Sequence, residues 1–307
     1  MNFKKKILIV GGTGFIGYHL AKKTLQKGWK VTSISSKKPV KKRYLAKVKY
    51  LICDITNKKS LEHNIKKKSF KYVVNLGGYV DHTDKIKTFQ SHYNGCKNLT
   101  EILLKNPPGA FVQMGSSVEY GNLKSPQKEN DKCNLRSMKS TYGKAKLLAT
   151  TYLIDLFKKK KFPSTVLRLY LAYGPKQDIN RFLPIIINGC IKNKKFPCSE
   201  GKQFRDFVHV YDVVDAILKS LTNKNARGEI INIGSGKPKK IRKIVEDIQK
   251  IIKKGDPQFG QIKLRKDEIL KIYPNINKAR KKIQWKPKIL FNKGIKSVIK
   301  FYNEQQI

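Results

Sequence analysis

Nothing in the sequence reaches the roughly 18 consecutive apolar residues that a membrane-spanning helix needs. The start, Met1-Asn-Phe-Lys-Lys-Lys6, runs into a short apolar stretch that glycines cut off. A soluble, cytoplasmic protein is therefore expected. Cysteine is sparse as well: Cys53, Cys96, Cys133, Cys190 and Cys198 are odd in number and scattered, with no pair at the two-residue spacing of a zinc site or redox motif. That argues against a cysteine-built metal centre and for reduced, structural thiols, so no metal is expected. Acidic side chains are the third scarcity, 21 Asp and Glu against 67 Lys and Arg, a formal charge of +46. Such a balance normally points to nucleic acid or an anionic membrane. Here the lysines recur everywhere, in groups such as Lys4 to Lys6, Lys66 to Lys68 and Lys158 to Lys161, with no basic tail and no repeated aromatic and basic pattern. This distribution reads as a solvated surface whose field attracts small anionic substrates. A dedicated nucleic-acid or membrane partner is not expected.

What is present is enough for a large core: 307 residues, 39% of them hydrophobic. Short apolar runs at Ile7 to Val10, Val31 to Ser35, Tyr50 to Cys53, Tyr72 to Leu76, Phe111 to Met114 and Thr165 to Leu169 read as buried strands. Helical patterns at Phe15 to Lys27, Thr88 to Leu104 and Thr141 to Lys158 lie between several of them. This alternation predicts an α/β fold, a doubly wound parallel sheet covered on both faces. Beyond residue 175 the regularity breaks into shorter pieces punctuated by prolines. There Val213 to Leu221, Ile241 to Ile252 and Lys288 to Phe301 read as helices and Glu229 to Ile233 as a strand. Residues 1–175 are thus expected to form a dinucleotide-binding domain and 176–307 a smaller C-terminal α/β lobe, with some elements crossing between them.

The first strand runs into Gly11-Gly-Thr-Gly-Phe-Ile-Gly17, and a helix follows. Gly11 suits a sharp turn, Gly14 lets the backbone approach a pyrophosphate, and Gly17 allows close helix packing, while the helix N-terminus offers N–H groups to the anion. Thr13, Phe15 and Ile16 belong to the same cradle. At the end of the second strand, where a carboxylate would bond the ribose hydroxyls of NAD(H), stand Ser35, Ser36 and Lys37. With no negative charge to repel a 2′-phosphate, NADP(H) is favoured and NAD(H) stays possible. Asp54 and Ile55, after the third strand, are placed to meet the adenine edge, and Asp54 is equally suited to cap a helix.

Further on, Tyr142 and Lys146 lie four residues apart in a helical pattern and so share a face. An ammonium beside a phenol favours its anionic form, which suits acid and base work. The strand Phe111 to Met114 ends in Gly115-Ser-Ser-Val-Glu-Tyr-Gly121, placing Ser116 or Ser117 at a carboxyl edge where ligands gather in such sheets.

Together with Asn75-Leu-Gly-Gly78, Leu167-Arg-Leu-Tyr-Leu-Ala-Tyr-Gly-Pro175, Arg181-Phe-Leu-Pro184, Gly201 to Asp212, Ile231-Asn-Ile-Gly234 and Trp285-Lys-Pro287, these motifs resemble the extended short-chain dehydrogenase/reductase family. The likeness is to its nucleotide-sugar epimerases, dehydratases and reductases and covers nearly the whole chain. It implies a Rossmann-type sheet, a nucleotide-diphosphate sugar as substrate, and a homodimer formed through a helical bundle that includes the Tyr142 helix. By the same resemblance Leu76, Gly77 and Gly78 line the cofactor, Tyr142 is the acid/base, Lys146 holds the ribose and tunes Tyr142, and Ser116 is the catalytic hydroxyl. Substrate contacts are implied for Ser117, Tyr170, Arg181 and Arg205, with Arg265 a second arginine for the diphosphate.

Dehydratases of the family carry an Asp-Glu pair after the catalytic hydroxyl, and here those positions are Ser117 and Val118. The tract Gly115 to Gly121 resembles that of 4-keto-6-deoxy sugar reductases, and the likeness makes reduction of a 4-keto-deoxy sugar nucleotide at C4 the leading expectation, with NAD-dependent 4-epimerisation as the alternative. The chain also departs from the family at Leu171-Ala172, where many members place an asparagine that meets the diphosphate. A catalytically inactive RNA-binding or regulatory protein is the alternative from another class, which the joint presence of Ser116, Tyr142 and Lys146 disfavours. His82 and His92 lie near the expected cofactor edge, placed to touch substrate but more commonly read as loop or helix-surface histidines; Tyr79 reads as core or substrate contact, and Glu119 as a residue that orients local backbone.

Overall fold

The computed structural model describes residues 5–264 and 268–304. Strand β1 (Lys6–Val10) alternates strictly between two cores, Ile7 and Ile9 to one face and Leu8 and Val10 to the other. A strand that is apolar on both sides must lie inside a sheet covered twice. The chain then forms α1 (Phe15–Gln26), β2 (Lys30–Ser35), β3 (Val48–Ile52), α2 (Lys58–Ile65) and β4 (Tyr72–Asn75). Next come α3 (Lys85–Phe89), a π-helical turn over Gln90–Asn94, α4 (Gly95–Leu103), β5 (Ala110–Ser116), α5 (Thr141–Lys160) and β6 (Ser164–Leu169). In the second part lie β7 (Leu171–Tyr173), α6 (Phe182–Ile191), β8 (Lys195–Pro197), β9 (Phe204–Arg205), β10 (Phe207–His209), α7 (Val210–Thr222) and β11 (Ile230–Ile233). Helices α8 (Ile241–Ile252), α9 (Asn277–Ile283) and α10 (Phe291–Asn303) follow.

Seven strands make one parallel sheet in the order β11-β6-β5-β4-β1-β2-β3. The order reverses between β1 and β4, which opens a crevice at their carboxyl ends. Both sides of that crevice are close: a Cβ on Gly11, whose φ is +75°, would lie 3.0 Å from the Gly77 nitrogen and from the Leu76 carbonyl. On one face the sheet packs against α1 and α7, joined by Ala279, Ile283 and the fully buried Trp285; on the other it packs against α2, α4 and α5. The smaller lobe has its own core, built on α6, α8 and α10 around Ile187, Ile244, Ile248 and Val298.

Elements from beyond residue 175 cross back into the first lobe. Strand β11 pairs in parallel with β6 as an edge of the large sheet, and α7 covers β5, so residues 210–233 belong to the first layer system. The long helix expected from Thr88 to Leu104 also differs. It begins at Lys85, capped by the Asp84 carboxylate on the Lys87 N–H, and contains the π turn at Gln90–Asn94. Helix α8 has the bounds expected. Helix α5 runs two residues beyond its expected end, capped at its start by the Ser140 hydroxyl on the Gly143 N–H.

Candidate active site at the carboxyl edge of the sheet

The glycine loop is shaped by close backbone approach. A Cβ on Gly17 would fall 2.2 Å from the Gly11 carbonyl oxygen and 2.6 Å from the Gly12 Cα, so α1 can pack on the loop only with glycine there. Helix α1 starts from Gly14, and no side chain caps it. Its first N–H groups are left for an anion, and the only atom near a Cβ placed on Gly14 would be the Gly11 oxygen at 3.2 Å. Thr13, Phe15 and Ile16 occupy this turn, and the loop therefore fits a dinucleotide pyrophosphate.

At the end of β2, the Ser35 hydroxyl donates to the Ile34 carbonyl and accepts from the Thr13 N–H at 3.4 Å. Ser36 and Lys37 are exposed beyond it. Arg43 is buried and donates to the Lys176 carbonyl and to Asp178. Asp54 is exposed and accepts from the Thr56 N–H, while α2 is capped by Asn57; Asp54 is thus a turn residue and not the cap of that helix. Ile55 is buried, and a Cβ on Gly77 would touch it at 3.4 Å. Leu76, Gly77 and Gly78 line the opposite side of the crevice, with Asn75 Oδ1 accepting from the Gly77 N–H at 3.0 Å.

Ser116 ends β5, nearly buried, and its hydroxyl accepts weakly from the Val118 N–H at 3.4 Å. Lys146 is buried on α5, and its Nζ donates to the Met114 carbonyl at 2.7 Å, which fixes the helix to the strand that carries Ser116. The same Nζ lies 5.7 Å from the centroid of the Tyr142 ring. An ammonium has three donors, and two remain for a ligand. Ser117 is half-buried next to Ser116.

Two histidines, His82 and His92, flank Tyr142. His82 stacks on the ring at 4.0 Å with 14° between planes, and His92 meets its edge at 4.9 Å. His92 comes from the π turn and is buried; its Nε2 pairs with the Tyr79 carbonyl at 3.1 Å, and Nδ1 has no protein partner. Burial, reinforced by the charge of Lys146, pushes His92 down to about 2, so the imidazole is neutral. A Cβ on Gly78 would overlap the His92 ring at 1.8 Å, so that glycine makes room for it. Burial, with the charges of Arg181 and Lys146, also lowers the His82 pKa.

The expected substrate residues are placed unequally. Arg181 is exposed at the start of α6, close enough for its charge to act on His82. Arg205 is paired with Glu268 and largely buried. Tyr170 does not present a free hydroxyl: it is 4% exposed and donates to Gln127 Oε1 at 2.7 Å. Arg265 lies outside the described residues. Among the described residues no helix is long and apolar enough to cross a membrane, none of the five cysteines is bonded to another, and no cluster of His, Cys, Asp and Glu is fit to hold a metal. A groove of about 1130 Å³ lies between α1 and α7, lined by Lys22, Lys23, Trp29, Tyr211 and Lys219 among others, and includes none of Ser116, Tyr142 and Lys146.

The chain is similar over nearly its full length to known proteins. The chain is 26% identical to the UDP-N-acetyl-alpha-D-glucosaminuronate decarboxylase of Bacillus cytotoxicus, over 98% of each protein. It is 29% identical to a putative UDP-glucose 4-epimerase of Methanocaldococcus jannaschii, over 95% of this chain and 97% of that one. The fold superposes on the crystal structure of UDP-glucose 4-epimerase of Thermotoga maritima, determined with UDP-glucose, with a TM-score of 0.91 and 22% identity over 98% and 100% of the two chains. Residues 7–234 match the model of the NAD dependent epimerase/dehydratase family, and the chain belongs to that family.

Proposed function

We propose that the chain oxidises and then re-reduces C4 of a uridine-diphosphate-linked hexose, with epimerisation as the net result. The observation that carries this reading is the fixed trio of Ser116 at the end of β5, Tyr142 on α5, and Lys146 bonded to the Met114 carbonyl of that same strand. Two facts support epimerisation over elimination of water. The positions after Ser116 hold Ser117 and Val118, which supply no carboxylate, and the relatives named above act on, or are named for, UDP-linked sugars.

In this reading the Tyr142 phenolate takes the proton from the sugar 4-hydroxyl as C4 is oxidised and the resulting phenol returns it on re-reduction, while the Ser116 hydroxyl hydrogen-bonds the same oxygen. Lys146 uses its two remaining N–H groups on the ribose and brings positive charge beside the phenol. A nicotinamide dinucleotide held by the Gly11–Gly17 loop and Lys146 would supply the reversible hydride acceptor this reading requires. Arg181 is the exposed arginine available to the diphosphate; Arg205 must first exchange its Glu268 partner.

A second reading, net reduction of a 4-keto-deoxy sugar nucleotide by NADPH, is favoured by the hydroxyl of Ser35 where a carboxylate would repel a 2′-phosphate. One experiment separates them. The nucleotide released on denaturing the purified protein is identified by mass spectrometry, and the protein is assayed for interconversion of UDP-hexose 4-epimers and for NADPH consumption with 4-keto sugar nucleotides. Epimerase activity without net cofactor consumption is expected, and Tyr142→Phe is expected to abolish it without loss of fold. Steady NADPH oxidation would favour the reductase. No turnover with any sugar nucleotide, together with RNA binding at physiological salt, would overturn both.

A further inference from the structure

We propose that Glu119 is a positioning residue, holding the backbone of Ser116 at a fixed distance from the helix that carries Tyr142 and Lys146. The inference rests on the reading of those three residues given above. Glu119 is completely buried, and its carboxylate bonds three separate elements. Oε1 accepts from the Ser116 N–H at 2.8 Å, closing a capping box at the end of β5. Oε2 accepts from the Thr150 hydroxyl on α5 at 2.8 Å and from Arg168 Nε on β6 at 2.8 Å. Thr150 lies four residues after Lys146 and eight after Tyr142, so all three share one face of α5.

The surroundings are built for this carboxylate. A Cβ on Gly115 would stand 2.5 Å from Glu119 Oε1, so the residue preceding Ser116 must be glycine for the carboxylate to lie where it does. Arg168 is opposite Gly115 in the β5–β6 register, and its guanidinium also covers the Tyr120 ring at 4.5 Å. A buried ion pair is an expensive way to fill space, since apolar side chains of equal volume commonly serve stability as well or better. What apolar groups cannot supply is a directed bond to the Ser116 N–H and another to α5. Catalysis by a serine and a tyrosine acting on one sugar oxygen depends on their spacing to a fraction of an ångström.

The test uses the full chain and the sugar nucleotide on which it turns over. Removing Glu119 alone would strand Arg168, so it is replaced together with Arg168. In Glu119→Val/Arg168→Met the directed bonds are gone and the volume stays; in Glu119→Gln/Arg168→Met an amide oxygen still receives the Ser116 N–H. A folded Val/Met variant is expected to lose about 30-fold or more in kcat with KM within about threefold, whereas the Gln/Met variant keeps kcat within about fivefold. Thr150→Val, which cuts only the link to α5, is expected to lower kcat about five- to tenfold, and Thr150→Ser to restore it. Should Val/Met fail to fold, the Thr150 pair decides. Wild-type kcat in Thr150→Val, or in folded Val/Met, would overturn the proposal. A wild-type protein without turnover would instead overturn the functional reading, and the inference falls with it.

Discussion

Three of the five histidines are buried as neutral imidazoles, which ties the stability of the fold to pH. His19 and His209 are pushed by burial to about 4, and His92 to about 2, against about 6.5 in an unfolded chain. Their folded pKa values are depressed, so the folded state takes up no proton on them between pH 7.5 and 5.5, while the unfolded chain does. Stability is therefore fully present above pH 6.5 and declines as pH falls toward 5.5 and below. Each imidazole contributes about 1.4 kcal/mol over that interval, and the three together about 4 kcal/mol. The strong positive charge of the unfolded chain lowers its own histidine pKa values, bringing the expected loss to about 2–4 kcal/mol. Glu129, Asp206 and Asp212, raised by burial, act with the opposite sign. Urea unfolding at pH 7.5, 6.5 and 5.5 should show a midpoint falling by about 1 M across the series. His209→Asn keeps an acceptor for the Tyr211 N–H at the start of α7 and should flatten the slope by about a third. A midpoint that is constant or rises toward pH 5.5 would refute the reasoning.

Two further substitutions probe the scaffold. Gly17→Ala places a Cβ 2.2 Å from the Gly11 oxygen, so loop and helix must separate by about 1 Å; affinity for NAD or NADP measured by calorimetry should fall at least about tenfold, with a stability loss of about 1–3 kcal/mol. Trp285→Ala removes a side chain with no exposed surface, together with its Nε1 bond to the Asp212 carbonyl at 3.0 Å; thermal and urea unfolding should report a loss of about 3–5 kcal/mol.

Much of the scaffold was legible because it follows simple periods. Ile7 to Val10 reads as a doubly buried strand, and α8 begins and ends where its apolar stripe does. The π turn was not legible, because one extra residue in a helical turn leaves the apolar pattern of Thr88 to Leu104 nearly intact while rotating His92 into the site. The strands β7 to β10 are two or three residues long and too short to show any alternation. Side-chain pairings between distant positions were equally invisible: Tyr170 finds Gln127 across 43 residues, and Arg205 finds Glu268 across 63. The glycine loop and the shared face of Tyr142 and Lys146 follow from local spacing, whereas the choice of Ser116 over Ser117 and the role of each residue rested on the family resemblance.

The return of β11 to the edge of the large sheet has a consequence for how the protein is made. A ribosome that has synthesised the glycine loop, Ser116, Tyr142 and Lys146 has supplied every residue of the proposed trio, yet β6 keeps a bare edge until Ile230–Ile233 emerges. For those roughly sixty residues of synthesis, several seconds at ordinary elongation rates, the nascent sheet offers an unpaired apolar strand to its neighbours. The interval before β11 docks is thus the chain's most aggregation-prone moment, and a stop placed anywhere before it should yield insoluble product however complete the active site looks on paper.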